Sequence, residues 1–256
     1  YLGRGIHVQA GASVSAKRVS VIDNMDIGVY VSGEESSSTI SDSVIARTAL
    51  SVQGSYGMGL YANNAASLSL ERTIVMENNS MGVFLKDPLT SALLHEVLVA
   101  RTLPGDSDSL GIGIHAGLEA TLELHRCGVL DNHRAAVFFL LTQGSVSDSI
   151  LQGTQFPPQG GEMSADGLLV NQSSVNASKV VARHNARTGV FYNDSGGEVR
   201  ESLLTQNLMG LVNQGNPSAS ISDDTQVAEN DQDLLIAGSL QAADEPLVLP
   251  DLPDYE

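Results

Sequence analysis

The stretch Gly59-Leu60-Tyr61-Ala62 returns 23 residues later as Gly82-Val83-Phe84-Leu85, and 31 residues after that as Gly113-Ile114-His115-Ala116. In each copy a small residue precedes the pattern apolar, any, apolar. Working outward from these three, the pattern begins at positions 5, 28, 59, 82, 113, 136, 167, 189 and 210, with spacings of 23, 31, 23, 31, 23, 31, 22 and 21 residues. A self-similar period of this size marks a solenoid, in which no single repeat buries its own apolar face. The alternation inside each copy has a period of two and marks a strand.

The first unit, Gly5 to Ile27, shows what one coil contains. Ile6 and Val8 alternate, Val14 and Ala16 repeat the alternation, and Val21-Ile22 form a third apolar stretch closed by Asp23-Asn24. The units at Gly59 and Gly113 match at the same offsets, with Leu68 and Leu70, Val75-Met76 and Glu77-Asn78 in one, and Leu122 and Leu124, Val129-Leu130 and Asp131-Asn132 in the other. Three short strands in ~23 residues, separated by Gly, Ser and Asn turns, leave no room for a helix. Each strand then pairs with its counterpart in the next coil. The expectation is an all-β parallel β-helix of nine full coils and part of a tenth, in three parallel sheets, right-handed by the usual rule for parallel crossovers.

The repeat is read as one elongated domain over residues 1–240, followed at 241–256 by an acidic, proline-containing tail or cap edge. The opening Tyr1-Leu2-Gly3-Arg4-Gly5 matches the ends of interior loops, Tyr56-Gly57-Met58-Gly59 and Leu110-Gly111-Ile112-Gly113, so an earlier coil is expected upstream. A net charge of −17, from 13 basic and 30 acidic residues, argues against nucleic acid and anionic membrane surfaces as partners. No apolar run is long enough for a transmembrane segment. A single cysteine forms no internal disulfide, and its alignment with Val19 and Thr73 places Cys127 in the interior or a turn as a small hydrophobe.

The recurrent asparagines at 24, 78, 132, 185, 207 and 230 read as an internal ladder bonded to turn backbone. Arg18, Arg72 and Arg126 share one offset, with His95 placed in the same column, and read as a solvated stripe paired with Glu71, Glu96 or Glu123. The units at 28, 82 and 136 are longer by eight residues, which gives three loops, Thr48 to Met58, Thr102 to Ile112 and Thr154 to Asp166, expected on one edge. At their bases Arg47 and Arg101 are candidates for anion binding or for bracing the loops.

The middle position of the opening strand points away from the lumen. Down the coils it reads His7, Tyr30, Tyr61, Phe84, His115, Phe138, Leu169, Phe191 and Val212, seven rings of nine in a chain that is 4% aromatic. Cross-strand packing explains some of this. An uncovered ring stripe would be an apolar patch of a size that soluble proteins rarely keep without use. His7, Tyr30, Tyr61, Phe84, His115, Phe138 and Phe191, with Arg47 and Arg101, are therefore the candidate binding residues.

On these repeats the chain resembles the right-handed parallel β-helix proteins of the pectate-lyase-like superfamily. More narrowly, the run Gly-Ile-His-Val-Gln-Ala-Gly-Ala at 5–12, Val-Ala-Arg-Thr at 99–102 and Ser107-Asp108-Ser109-Leu110-Gly111 resemble repeat-rich secreted or surface proteins of myxobacteria and related bacteria. That resemblance implies a secreted or cell-surface location and carries over no activity. Polygalacturonase-like sites need Asn-Thr-Asp, Asp-Asp and Gly-His-Gly on neighbouring coils, and Asp223-Asp224 here stands without partners. Pectate-lyase-like sites need a carboxylate cluster for calcium and an arginine base. The nearest approach is Asp106 and Asp108 with Arg101.

Two readings remain open from the sequence. One is a non-catalytic extracellular β-helix that binds a neutral glycan, a protein surface or a second copy of itself through the loop edge and ring column. The other is a polysaccharide-active lyase or hydrolase using Arg101, Asp106, Asp108 and His115. The first implies no cofactor and no metal; Ca2+ is the one ion the second leaves open.

Overall fold

The computed structural model describes residues 3–52, 54, 56–105, 111–158 and 164–236. Among them there is no helix, and 28 short strands stack into three parallel sheets of ten, nine and nine strands. Sheet A holds the opening strand of every coil, including Ile6–Gln9, Ile27–Ser32, Met58–Asn63, Met81–Lys86, Ile112–Gly117 and Ala135–Leu140, and ends with Gln232–Ile236. Sheet B holds the second strand of each coil (Ser67–Glu71, Ser91–His95 and so on), and sheet C the third, such as Ile74–Met76 and Leu98–Ala100. The register is the one the repeat spacing demands, with Leu60, Tyr61 and Ala62 opposite Val83, Phe84 and Leu85.

The lumen is the main core. Val29, Val31, Leu60, Val83, Leu85, Ile114, Val137, Leu168, Val170, Val190 and Leu211 are all buried there, together with inward residues of the other two sheets. Ile6, read as a lumen residue, is only partly buried; it lies in the first described strand, which pairs with Ile27–Ser32. Two bulky lumen residues are matched to glycines. Phe139 fills the space over Gly144, where a Cβ would lie 2.6 Å from the ring, and Tyr192 donates its hydroxyl to the carbonyl of Val175, on the strand beside Gly197.

The asparagine ladder is scaffold. The Oδ1 atoms of Asn78, Asn132 and Asn185 accept the backbone N–H of Thr48, Thr102 and Thr154 at 3.0–3.1 Å, and Asn185 and Asn207 continue the chain of bonds to Asn230. The residue before each asparagine takes left-handed backbone: Asp23, Glu77, Asp131, His184, Gln206 and Glu229 have φ of 54–60°. Cys127 is buried, its thiol donates to the carbonyls of Leu94 and His125 at 3.4 Å, and burial pushes its pKa up.

The stripe at the corner between sheets B and C is a ladder of alternating charge. Arg18, Asp42, Arg72, Glu96, Arg126, Asp148, Lys179 and Glu201 follow one another down the coils, each with φ of 43–56°. Arg72 pairs with Asp42 at 2.6 Å and also with Glu71, Arg126 with Glu96 at 3.1 Å, and Lys179 with Glu201 at 3.7 Å. This corrects the assignment of His95 to the arginine column: His95 lies opposite Glu71 and stacks on His125, and Glu96 fills the column. Its pairs are exposed and each adds little stability.

Candidate functional site

All three long loops leave from the corner between sheet C and sheet A, as expected for one edge. They depart after Val44–Ala46, Leu98–Ala100 and Ile150–Gln152 and return at Met58, Ile112 and Asp166. Each is anchored at its start by a parallel bridge to the short turn above, Met25 with Ala49, Asn79 with Leu103 and His133 with Gln155. Of the two basal arginines, Arg47 grips Asp23 through Nε and Nη2 at 2.7 and 2.9 Å, and Arg101 holds Glu77 at 3.1 and 2.8 Å. Both acids belong to the preceding coil. The Arg47 guanidinium holds the Asp23 carboxyl below its ordinary pKa. These contacts favour bracing over anion capture, since the fork of each guanidinium is already engaged.

The ring column does lie on the outer face of sheet A, and its rings form one continuous ladder. Successive centroids from His7 through Tyr30, Tyr61, Phe84 and His115 to Phe138 are 4.6–5.4 Å apart, with the Tyr61–Phe84 and His115–Phe138 pairs stacked. The expectation that this stripe is uncovered is wrong. Tyr30 is 6% exposed, Tyr61, Phe84 and His115 2%, Phe138 1% and Phe191 0%; only His7, at the top, is exposed. Tyr30, Tyr61, Phe84, Phe138 and Phe191 form a second hydrophobic cluster with Ile27, Met58, Met81, Ile112 and Met209, separate from the lumen. Alternation in the sequence shows which side of a strand a residue faces. It does not show what lies over that side.

Charged groups are set into this face. The Arg4 guanidinium lies 4.2 Å from the Tyr30 ring centre and 3.6 Å from Asp26, whose carboxyl is raised in pKa by burial in spite of that cation. Lower down, Asp166 is fully buried and accepts hydrogen bonds from both Nε and Nη2 of Arg187, from the Thr188 hydroxyl and from Ser164. The Arg187 guanidinium in turn sits 5.2 Å from the ring centre of Phe191. His115, between Phe84 and Phe138, has no hydrogen-bond partner for either ring nitrogen among the described residues. Burial, aided by the positive charge of Arg134, pushes its pKa down to about 3, so the imidazole is neutral.

Of the residues considered for catalysis, Asp106 and Asp108 lie outside the described residues. Arg101 is tied to Glu77 at the loop base, and His115 is in the ring cluster. Asp224 accepts the backbone N–H of Glu201 at 3.1 Å and the Ser222 hydroxyl, as a turn residue does. No group of three or more His, Cys, Asp or Glu is placed to hold a metal ion among the described residues. Sequence reasoning missed Asp26, Asp166 and Arg187. A signal was present in the Asp166-Gly167 and Arg187-Thr188-Gly189 runs, where charge falls beside the opening glycine of a coil.

Three solved structures are similar to this chain to different degrees. The periplasmic alginate epimerase AlgG is 18% identical with a TM-score of 0.58, over 86% of this chain and 53% of that one. Pectate lyase Pel9A is 13% identical with a TM-score of 0.48, over 85% and 58% respectively. The A-module of the Azotobacter vinelandii mannuronan C-5 epimerase AlgE4 is 14% identical with a TM-score of 0.37, over 84% and 62%. The chain thus spans 53–62% of the length of these proteins, at identities that speak to the fold alone. No curated protein sequence matches. The family model described as "Right handed beta helix region" matches residues 4–231, and with the three stacked parallel sheets this places the chain in the right-handed β-helix family.

Proposed function

We propose that this chain is a non-catalytic binding scaffold of a secreted or cell-surface protein, and that its recognition surface is the outer face of sheet A. The observation that carries the reading is the unbroken ladder of six rings on the outside of a solenoid whose lumen is already filled by a separate core. This second cluster is separate from the lumen core that every coil shares. Flat aromatic faces stacked at one per coil suit the CH faces of a neutral glycan or an extended apolar protein segment, each ring adding about 0.5–1.5 kcal/mol. The rings are buried, so binding requires this face to open to the ligand. The basal arginines are spent on Asp23 and Glu77, which fits a ligand without charge.

The test is affinity electrophoresis of the full chain in gels containing neutral polysaccharides, comparing wild type with Tyr61→Leu/Phe84→Leu. Leucine keeps the burial and removes the aromatic face. Retardation that falls at least tenfold in the variant, with cooperative unfolding retained, is expected. Equal retardation of the two proteins, or none for either, removes the glycan from the reading.

A further inference from the structure

Beside the ring ladder, sheet A carries a second outward column, two residues further along each strand. Toward the last coils it is an amide ladder. Asn193 donates from Nδ2 to Oδ1 of Asn171 at 2.8 Å, and Gln214 donates from Nε2 to Oδ1 of Asn193 at 2.8 Å. Higher up, where the column reads Asn63, Lys86 and Gly117, this ladder is interrupted. Asn63 is 6% exposed; its Nδ2 donates to the Tyr61 hydroxyl at 3.4 Å, but its Oδ1 has no partner among the described residues. Lys86 is half-buried and makes no ion pair or hydrogen bond among the described residues. His115, with neither ring nitrogen bonded, leans over Gly117, where a Cβ would lie 3.2 Å from its Nε2. The backbone at Gly117 is not left-handed, and Ser32, Asn63, Lys86 and Leu140 fill the equivalent position in other coils. The glycine therefore serves space, as at strand positions that a ligand approaches closely.

An acceptor on Asn63, an ammonium on Lys86 and an imidazole with one N–H and one lone pair thus stand unmatched in a row of three coils, two steps of ~4.8 Å. Unpaired buried polar atoms cost free energy, and most native ones find partners. Here they flank the stacked Tyr61–Phe84 pair, and a few convergent polar groups beside an apolar wall are the usual make-up of a small-ligand site. We propose that Asn63, Lys86 and His115 take adjacent hydroxyls of a neutral sugar whose ring lies on Tyr61 and Phe84; this rests on the binding face proposed above and names its polar half. A hydroxyl both donates and accepts. One hydroxyl of the pair donates to Asn63 Oδ1 and accepts from Lys86, and the other pairs with His115. A carboxylate would satisfy Lys86 but has no proton for Asn63, so the set selects a neutral diol over a uronate.

The test is affinity electrophoresis of the full chain in galactomannan, xyloglucan and dextran, all of which carry adjacent free hydroxyls, and in the methylated form of whichever polymer retards it. Retardation should fall at least tenfold on methylation of the polymer, and at least tenfold in Asn63→Leu/His115→Phe. In that variant phenylalanine continues the ladder between Phe84 and Phe138, and removal of unpaired buried atoms should leave the unfolding midpoint unchanged or higher. A merely structural role would lower the midpoint together with binding. Should the variant not unfold cooperatively, Lys86→Met, at a half-buried position, decides, with a fall of at least threefold expected. Retardation kept in Asn63→Leu/His115→Phe and lost in Tyr61→Leu/Phe84→Leu would overturn the diol site and leave the ring face standing. Equal retardation by the methylated polymer, or stronger retardation by polygalacturonate, would also overturn it. No retardation of the wild type by any of the three neutral polymers would remove the glycan reading and this site with it.

Discussion

Sheets A and B are built from the same coils and turn opposite characters to the outside. Outward positions of sheet A carry stacked rings that are almost fully buried, whereas those of sheet B carry Ser13, Ser37, Ser67, Ser91 and Thr121, hydroxyls that are exposed or half-buried. Both sheets present the same kind of side chain to the lumen, because the lumen imposes the same apolar demand on every strand. The outside imposes no such demand. A sheet with polar exterior residues is the default for a half-buried strand, and sheet A departs from it.

The largest test of this contrast is truncation on the two faces. Phe138→Ala should lower unfolding stability by about 3–5 kcal/mol, the range for a fully buried aromatic, if the ring face is a true second core. Thr39→Ala on sheet B should stay within about 0.5 kcal/mol. Chemical denaturation of both variants measures the difference, and equal small effects would erase the contrast. Next in size is Gly144→Ala. A Cβ there would collide with the Leu122 carbonyl oxygen and lie 2.6 Å from the Phe139 ring, and overpacking of this kind costs about 1–3 kcal/mol. Combining it with Phe139→Leu should restore part of the loss, since the two residues share one space.

The pH dependence sharpens the comparison further. His115 is held neutral, with its pKa pushed down to about 3, whereas in the unfolded chain it titrates near 6.5. Between these values the unfolded state binds the extra proton, so stability falls as pH drops from about 6.5 towards 3. His115→Leu should flatten that part of the profile, as read by chemical denaturation across this pH range. The smallest effect is expected at the loop base. Arg101→Ala should cost no more than about 1 kcal/mol, because its pair with Glu77 is solvent-exposed.

Much of this fold is legible in the sequence because the repeat spacing alone fixes pairing and register. Once Gly59 and Gly82 are aligned, Leu60 must lie beside Val83, and the lumen residues follow. The asparagine ladder is readable for the same reason. Less legible are the corners. Positive φ at charged residues such as Arg47, Glu77 and Arg126 leaves no mark in composition, and a one-residue slip there exchanged His95 for Glu96. The candidate site was legible by position and not by environment. The alternation places Tyr61 and Phe84 on the outer face, but a period-two pattern does not encode whether that face is exposed, and here both rings are buried.

The account's central claim is that the ring ladder on sheet A is a covered surface of the folded chain. Hydroxyl-radical footprinting of the intact protein, read residue by residue by mass spectrometry, addresses it directly. The account predicts that Tyr30, Tyr61, Phe84 and Phe138 are protected to the level of the lumen residues Phe139 and Tyr192, while Leu93, His95 and His125 on sheet B react readily. Oxidation of the ladder at the rate of the sheet B residues would contradict it.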